Sequence, residues 1–283
     1  MQESIHGNLK RLQYITEIIS KVKPQSILDI GCGNGIFLTI PIAEKFASIR
    51  ITGVDSDLPT IDMAKKVNTL NNLLFCVNED LNPAEQFDLV IASEVIEHVE
   101  QPYSFMRWIA TKVKPGGYVI ITTPNGYGMF EIMTFIETLL DLTGIMKVLA
   151  RLPFLKKLKV GNSYTSDDLQ EKQHDTLAIS PHVNFFSLGK LKKIFIETGF
   201  SINAYRARTF LGGLGFNQIL KSPSMLQWNA NTADSLPAVF VSGWMFVLKF
   251  ESKPRLNLQD KEYKRSLNEN FRKWLTAKRW KII

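Results

Sequence analysis

Only two cysteines occur in 283 residues, Cys32 and Cys76, and neither belongs to a Cys-x-x-Cys pair. That excludes a disulfide framework and a cysteine zinc site, and it fits a reducing compartment. No apolar run reaches the roughly 18–20 residues that a spanning helix needs. The first residues, "MQESIHGNLKRLQYITEIISKVK", are polar and hold no signal-peptide core, so the expected location is cytoplasmic. Internal repeats and low-complexity segments are missing too. What is present is ordinary for a globular chain: 45% hydrophobic and 22% charged residues, enough for a sizeable core.

Charge is unevenly placed. Residues 251–283 carry ten lysines and arginines against four acids, which accounts for six of the formal +7. Two readings stay open for this tail. It either meets an anionic surface (a membrane, a nucleic acid or an acidic partner) or forms a solvated terminal helix.

The hydrophobic pattern gives the fold class. Leu9, Leu12, Ile15, Ile18 and Ile19 recur at helical spacing, and Pro24 stops that helix. "SILDI", "IRITGVD", "NLLFCVNED", "FDLVIASE" and "YVIITTPN" read as strands. They are continuous apolar runs, as expected of strands covered on both faces. "IFLTIPIAEKF", "LPTIDMAKKVNTL" and "PYSFMRWIATKVK" read as helices between them, and Pro115-Gly116-Gly117 as a turn into the fifth strand. The alternation predicts an α/β, doubly wound, mostly parallel sheet. Residues 126–181 interrupt it with an apolar helical stretch and then a polar loop. The helix "SLGKLKKIFIETGF", a strand near 201–206 and a last strand "GWMFVLKF" follow.

"ILDIGCGNG" places Gly31, Gly33 and Gly35 between a strand and a helix, with Asp29 just ahead. Glycines there let a ligand reach the backbone, and a nucleotide cofactor is the usual occupant. The dinucleotide pattern G-x-G-x-x-G would need glycine at 36, where this chain has Ile36. Asp29 would repel a pyrophosphate but suits a ligand with an ammonium group. Asp55 ends "ITGVD" and can accept bonds from both hydroxyls of a ribose. Asp80 follows the third strand, near where an adenine edge would lie. The alternative for Asp55 and Asp80 is a helix cap or turn acid.

"SEVIEHV" follows the fourth strand. In a helical turn Glu94, Glu97 and His98 would share one face, able to bind a divalent metal or to move a proton. His182, opening "HVNFFS", is a second candidate base; the alternative is that it braces the next helix.

Taken in order, "ILDIGCGNG", "GVDSD", "FDLVIASEVIEHV", "KPGGYVIITTPN" and "HVNFFSLGKLKKIFIETGF" resemble the motifs of class I S-adenosylmethionine-dependent methyltransferases. The likeness covers about 27–200 and the closing strand, and within the class it is similar to the ubiquinone-biosynthesis O-methyltransferase branch. The resemblance implies a seven-stranded sheet with its last strand antiparallel, in a domain over 1–250. It implies that Asp29 and the three glycines hold the methionine end of S-adenosylmethionine. Asp55 and Ser56 would take the ribose, Asp80 and Leu81 the adenine, with Ser93 and Glu94 also at the cofactor. That branch's Glu-x-x-Glu-His pattern is associated with magnesium, which gives Glu94, Glu97 and His98 as ligands. Glu79 stands where the family often has glycine before the adenine acid.

The expected reaction is methyl transfer to a small, hydrophobic or lipid-linked acceptor, at oxygen. One rival is a nucleic-acid methyltransferase using the basic tail. Against it, "ASEV" replaces the Asn/Asp-Pro-Pro-Tyr/Phe motif of amino-methylating enzymes, and the tail shows no binding module. The other rival is a cofactor-binding protein without turnover. The insert at 126–181, with Lys147, Arg151, Lys156, Lys157 and Lys159 near the end of its helical part, is open to three readings: a face on anionic lipid, a lid over the acceptor, or core. Trp274 and Trp280 among the basic residues of the tail repeat the interfacial theme.

Overall fold

The computed structural model describes residues 5–145, 148, 181–212, 216, 220, 222–251 and 261–279. Among these, the strands are β1 (Ser26–Ile30), β2 (Arg50–Asp55), β3 (Leu73–Val77), β4 (Phe87–Ser93), β5 (Val113–Pro124), β6 (Phe200–Ala207) and β7 (Gly243–Phe250). The helices are α1 (Ile5–Val22), α2 (Thr39–Lys45), α3 (Leu58–Val67), α4 (Pro102–Lys112), α5 (Met129–Leu142), α6 (Leu188–Glu197), α7 (Pro223–Ser235) and α8 (Leu267–Arg279). One seven-stranded sheet runs in the order β3-β2-β1-β4-β5-β7-β6. The strands from β3 to β5 pair parallel, and β7 is antiparallel to both of its neighbours.

The apolar runs are covered on both faces, as their continuity implies. Successive side chains point to opposite sides. Leu28, Val90, Ala92, Val119, Ile121 and Phe246 pack with Ile109 of α4 and Leu191 and Phe195 of α6. Ile27, Leu89, Ile91, Ile120 and Met245 pack with Ile15 and Ile19 of α1, Ile42 of α2 and Ile61 of α3.

Three local details depart from the sequence pattern. α2 starts at Thr39 rather than at Ile36, and Ile36 and Phe37 are exposed in the loop before it. β3 stops at Val77, and Asn78–Asp80 form a single 3-10 turn. Pro115-Gly116-Gly117 does not precede β5 but lies inside it, where the register with β4 slips between Phe87 and Leu89 and Gly116 takes φ +74°. α7 has no counterpart in the apolar periodicity. Its start is nonetheless written in the chain: Ser222 caps the N–H of Met225, and Pro223 occupies the first turn.

The described part of the C-terminal tail is not a solvated helix. Glu269, Arg272 and Leu275 of α8 are buried. The Arg272 guanidinium donates to the carbonyl of Gly126 and to Glu131 Oε2 at 3.0 Å, and it lies 3.8 Å over the Phe185 ring. Arg279 donates to Glu137 at 2.8 Å, and its Nε lies 3.3 Å from Asp141. Ahead of α8, Arg265 donates to the carbonyl of Val183 at 3.0 Å and to that of Glu100 at 2.8 Å. The tail thus ties together α5, the turn after β4 and the chain before α6. Trp280 and all of the insert's basic cluster (Lys147, Arg151, Lys156, Lys157, Lys159) lie outside the described residues.

Breaking a buried pair leaves one charge without its partner and costs several kcal/mol. Arg272→Ala is expected to lower unfolding stability by about 3 kcal/mol, with His182 still supporting Glu131. Urea denaturation checks this; a loss below about 1 kcal/mol, the range of exposed pairs, would mean that the tail is not docked this way.

Candidate functional site

Strand order reverses between β1 and β4, so the loops leaving their carboxyl ends diverge around a crevice, the usual ligand position in such sheets. The loop after β1 hangs on β2: the N–H groups of Gly31 and Cys32 both bond the Val54 carbonyl, at 2.8 and 3.0 Å. Gly31, Gly33 and Gly35 have φ of +67°, +55° and +75°, the region where other residues are strained. A Cβ on Gly31 would sit 2.5 Å from a methyl of Val95, so the β1 and β4 loops touch there. Above Gly33 nothing lies within 4 Å of such an atom. The backbone is therefore tight on the protein side and open on the other.

Two acids flank this loop. Asp29 is buried at the middle of the sheet and accepts the Thr39 hydroxyl at 2.6 Å. Burial pushes its carboxyl up to about 7, against the Thr39 bond and the charge of Arg11. Asp55 accepts the N–H of Gly33 on one oxygen at 2.9 Å and that of Asp57 on the other at 3.0 Å. Asp55 is not the cap of α3; Asp57 is, accepting from Thr60 N. Ser56 is exposed beside it, Asp80 is exposed at the end of the 3-10 turn, and Leu81 is buried just after it.

The β4 turn does not put its acids and histidine on one helical face. Glu94 sits at φ +59°, and Ile96–His98 form a single turn. Glu94 accepts the Thr122 hydroxyl at 2.7 Å, pairs with Arg208 at the end of β6, and lies 3.8 Å from Arg11 of α1. Burial would raise its pKa, but Arg208 and then Arg11 outweigh that and hold the carboxyl below its usual value. Ser93 shares the Thr122 hydroxyl at 3.0 Å.

Glu97 points elsewhere. It is 1% exposed, takes the Thr123 hydroxyl on Oε2 at 3.1 Å, and has no partner for Oε1. Burial, with the nearby Glu94 charge, raises its pKa to about 8. His98 gives its Nδ1 hydrogen to the Pro181 carbonyl at 3.3 Å and packs edge-on against His182, ring centres 4.9 Å apart. His182 is buried and gives its Nδ1 hydrogen to Glu131 Oε1 at 2.6 Å. Burial alone would lower its pKa, but the Glu131 carboxylate outweighs it and the net shift is upward. One ligand atom from each of Glu97, His98 and His182 lies within 4.8 Å of the others.

The sequence profile described as "Methyltransferase domain" matches residues 2–205. The chain belongs to the methyltransferase domain family.

Among curated relatives of this chain, a ubiquinone biosynthesis O-methyltransferase of Shewanella halifaxensis is 33% identical over 152 residues, 50% of this chain and 60% of that one. The same-named protein of Rickettsia felis is 30% identical over 184 residues, covering 63% and 75%. The chain spans only 60% and 50% of the length of the first relatives it matches. A Galdieria sulphuraria structure named for sarcosine dimethylglycine methyltransferase shares the fold, with TM-score 0.53, 12% identity and 86% of each chain covered. So does the plantazolicin methyltransferase BpumL, in complex with a monoazolic desmethylPZN analog and SAH, at TM-score 0.50 and 17% identity over 88% of this chain and 85% of that one.

S-adenosylmethionine fits the residues around the glycine loop. The open space over Gly33 admits a ligand to the backbone, Asp29 is a buried acid without an ion pair among the described residues, and Asp55 is fixed by two N–H groups. Magnesium on Glu94, Glu97 and His98 does not fit. Glu94 is committed to Arg208 and Arg11, and the acids and histidines that converge are Glu97, His98 and His182, a nitrogen-rich set. Magnesium prefers oxygen ligands throughout.

Sequence reasoning missed Arg11, Arg208, Glu131 and Arg272. Glu131 alone had a local signal. It is the one acid in "GMFEIMTF", and an acid inside an apolar helix has to be paired when buried.

Proposed function

We propose that this methyltransferase moves a methyl group from S-adenosylmethionine to a hydroxyl of a small hydrophobic acceptor. The observation that carries the reading is the pair of fixed acids, Asp29 and Asp55, on either side of an open glycine loop. Asp29 supplies negative charge for an ammonium, and Arg11, in reach of both Asp29 and Glu94, supplies positive charge for a carboxylate. Asp55 has lone pairs left for ribose hydroxyls. Asp80 and Leu81 are the residues for the adenine.

The bound cofactor supplies an electrophilic methyl on a sulfonium, so the protein's work is alignment, and help with the acceptor's proton where the acceptor is a hydroxyl. We assign that second task to Glu97 and His98 of the turn after β4 and to His182 of the chain before α6, whose ligand atoms lie within 4.8 Å of one another. Oxygen as the target, and a lipid-linked acceptor such as a prenylated phenol, are supported by the names of the relatives.

A hydrophobic substrate also suits the outer surface. Ile132, Ile136 and Leu139 form an exposed stripe on α5, and Phe271 and Trp274 are exposed on α8, with Lys278 5.0 Å over the Trp274 ring. We read this surface as a weak, peripheral contact for anionic lipid. Arg272 and Arg279 are spent on internal pairs, so the attraction rests on fewer charges than the composition suggests. No described helix is long and apolar enough to cross a membrane.

Calorimetry is expected to show binding of S-adenosylhomocysteine and none of NAD. Asp55→Ala should weaken the former by about 1.5–3 kcal/mol, the scale of hydrogen bonds to a charged group. Labelled methyl transfer to a prenylated phenol then tests the reaction. Tight NAD binding, or cofactor binding without transfer to any hydroxyl acceptor, would count against the reading.

For the lipid contact, flotation with anionic vesicles should carry part of the protein at low salt and little at high salt, since screening removes attraction between exposed charges. Flotation that ignores both salt and Trp274→Ala would contradict it.

A further inference from the structure

Two arginines of the C-terminal segment act on His182, one through its backbone and one through its side chain. Arg265 donates to the carbonyl of Val183 at 3.0 Å and to Asn184 Oδ1 at 2.9 Å. The N–H groups of Val183 and Asn184 both bond the Glu97 carbonyl at 3.0 Å, which sets His182 against the turn after β4. Arg272 acts through Glu131. One Glu131 oxygen takes the Arg272 guanidinium at 3.0 Å, and the other takes the Nδ1 hydrogen of His182 at 2.6 Å. All three side chains are buried, and Arg272 is itself seated on the Gly126 carbonyl and the Phe185 ring. A carboxylate only accepts, so a neutral His182 carries its hydrogen on Nδ1 and a lone pair on Nε2. Among the described residues no hydrogen bond engages Nε2, and it is not one of the enclosed atoms that lack a partner.

We propose that Glu131 and Arg272 are positioning residues: Arg272 of α8 holds the Glu131 carboxylate, and Glu131 holds the His182 ring with Nε2 as the atom that takes the acceptor hydroxyl's proton. A carboxylate on one ring nitrogen fixes the tautomer and stabilises the imidazolium formed when the other nitrogen is protonated. A neutral carbonyl, the acceptor that His98 has on its Nδ1, offers less of that stabilisation, which favours His182 as the base. The step balances. The acceptor's O–H bond breaks, its proton goes to Nε2, and the oxygen's electron pair forms the bond to the methyl carbon, while the S–C pair stays on sulfur. The use in proton transfer rests on the methyl-transfer reading; the hold on the ring does not. The basic C-terminal segment thereby becomes part of the site, although no residue of it needs to touch cofactor or acceptor.

The first test is nitrogen-15 NMR of the imidazoles in the full chain. The sequence has four histidines, His6, His98, His174 and His182, and His182→Gln assigns the signal. Neutral His182 should carry its proton on Nδ1, shifted far downfield. Glu131→Gln should release that tautomer, Glu131→Asp should keep it in part, and Arg272→Gln should loosen it. Circular dichroism and S-adenosylhomocysteine binding on the same samples report whether each variant folds. The second test is labelled methyl transfer to a prenylated phenol and to its nitro-substituted counterpart, which is already ionised at the assay pH. With the plain phenol Glu131→Gln should lower kcat by about 100-fold, the lower end of what a general base contributes, and leave KM nearly unchanged. With the ionised phenol the loss should vanish, which a merely structural role would not produce. A proton on Nε2 in the unaltered chain overturns the proposal, and that result decides even if Glu131→Gln fails to fold. An unchanged tautomer in folded Glu131→Gln, or an equal loss with both phenols, overturns it as well. Cofactor binding without transfer to either phenol is the failure of the methyl-transfer reading and removes the proton-transfer role, while the tautomer still decides whether Glu131 and Arg272 hold His182.

Discussion

A carboxylate taken out of water has to find a cation or give up its charge. This chain gathers Asp29, Glu94, Glu97 and Glu131 around the carboxyl ends of its central strands, all largely buried. That constraint explains much of the architecture around the crevice. Arg208 comes from the end of β6 to reach Glu94, Arg11 comes from α1, and Arg272 comes from the last described helix to reach Glu131. None of these cations is near its partner in sequence. The carboxyl ends of β1, β4 and β5 are therefore held by segments from both ends of the chain.

The accounting is uneven in a useful way. Glu94 and Glu131 have guanidinium partners; among the described residues Asp29 and Glu97 have no ion pair. These two are pushed toward the protonated form, and they border the glycine loop and the histidine cluster. An acid left short of charge by its own fold is suited to a cationic ligand. In the proposed reading Asp29 takes the cofactor's ammonium group, and Glu97 has an oxygen without a partner beside two imidazoles. The C-terminal helix matters here for the same reason. Its Arg272 steadies Glu131, and Glu131 sets the orientation of His182, so a segment that composition alone marks as a basic tail supports the interior.

The sheet was legible because strands covered on both faces carry short apolar runs, as "LVIA" of β4 and "YVII" of β5 do. The glycine loop and its two acids were legible because their spacing is local. Ile36 and Phe37 misled the start of α2, since periodicity assumes that apolar residues are buried and these are not. The Pro115-Gly116-Gly117 turn was real as chemistry but is absorbed as an irregularity within β5. For "SEVIEHV" a single helical face was expected and is not found: Glu94 has a positive φ and pairs with Arg208, and Glu97 and His98 meet His182 instead. Pairings between residues so far apart in the chain leave no local pattern, which is why Arg11, Arg208 and Arg272 stayed invisible.

The central claim is that burial leaves Asp29 short of positive charge until a cofactor's ammonium arrives. Carboxyl-carbon NMR across a pH series, with Asp29→Asn to assign the signal, measures this directly. In the free protein Asp29 should titrate near 7. With S-adenosylhomocysteine bound, the ammonium favours the charged form, so the titration should move well below that value. Affinity should accordingly rise with pH up to the free protein's titration point and level off above it. An Asp29 signal that titrates in the ordinary carboxylate range without cofactor, or that does not move when cofactor binds, would contradict the account.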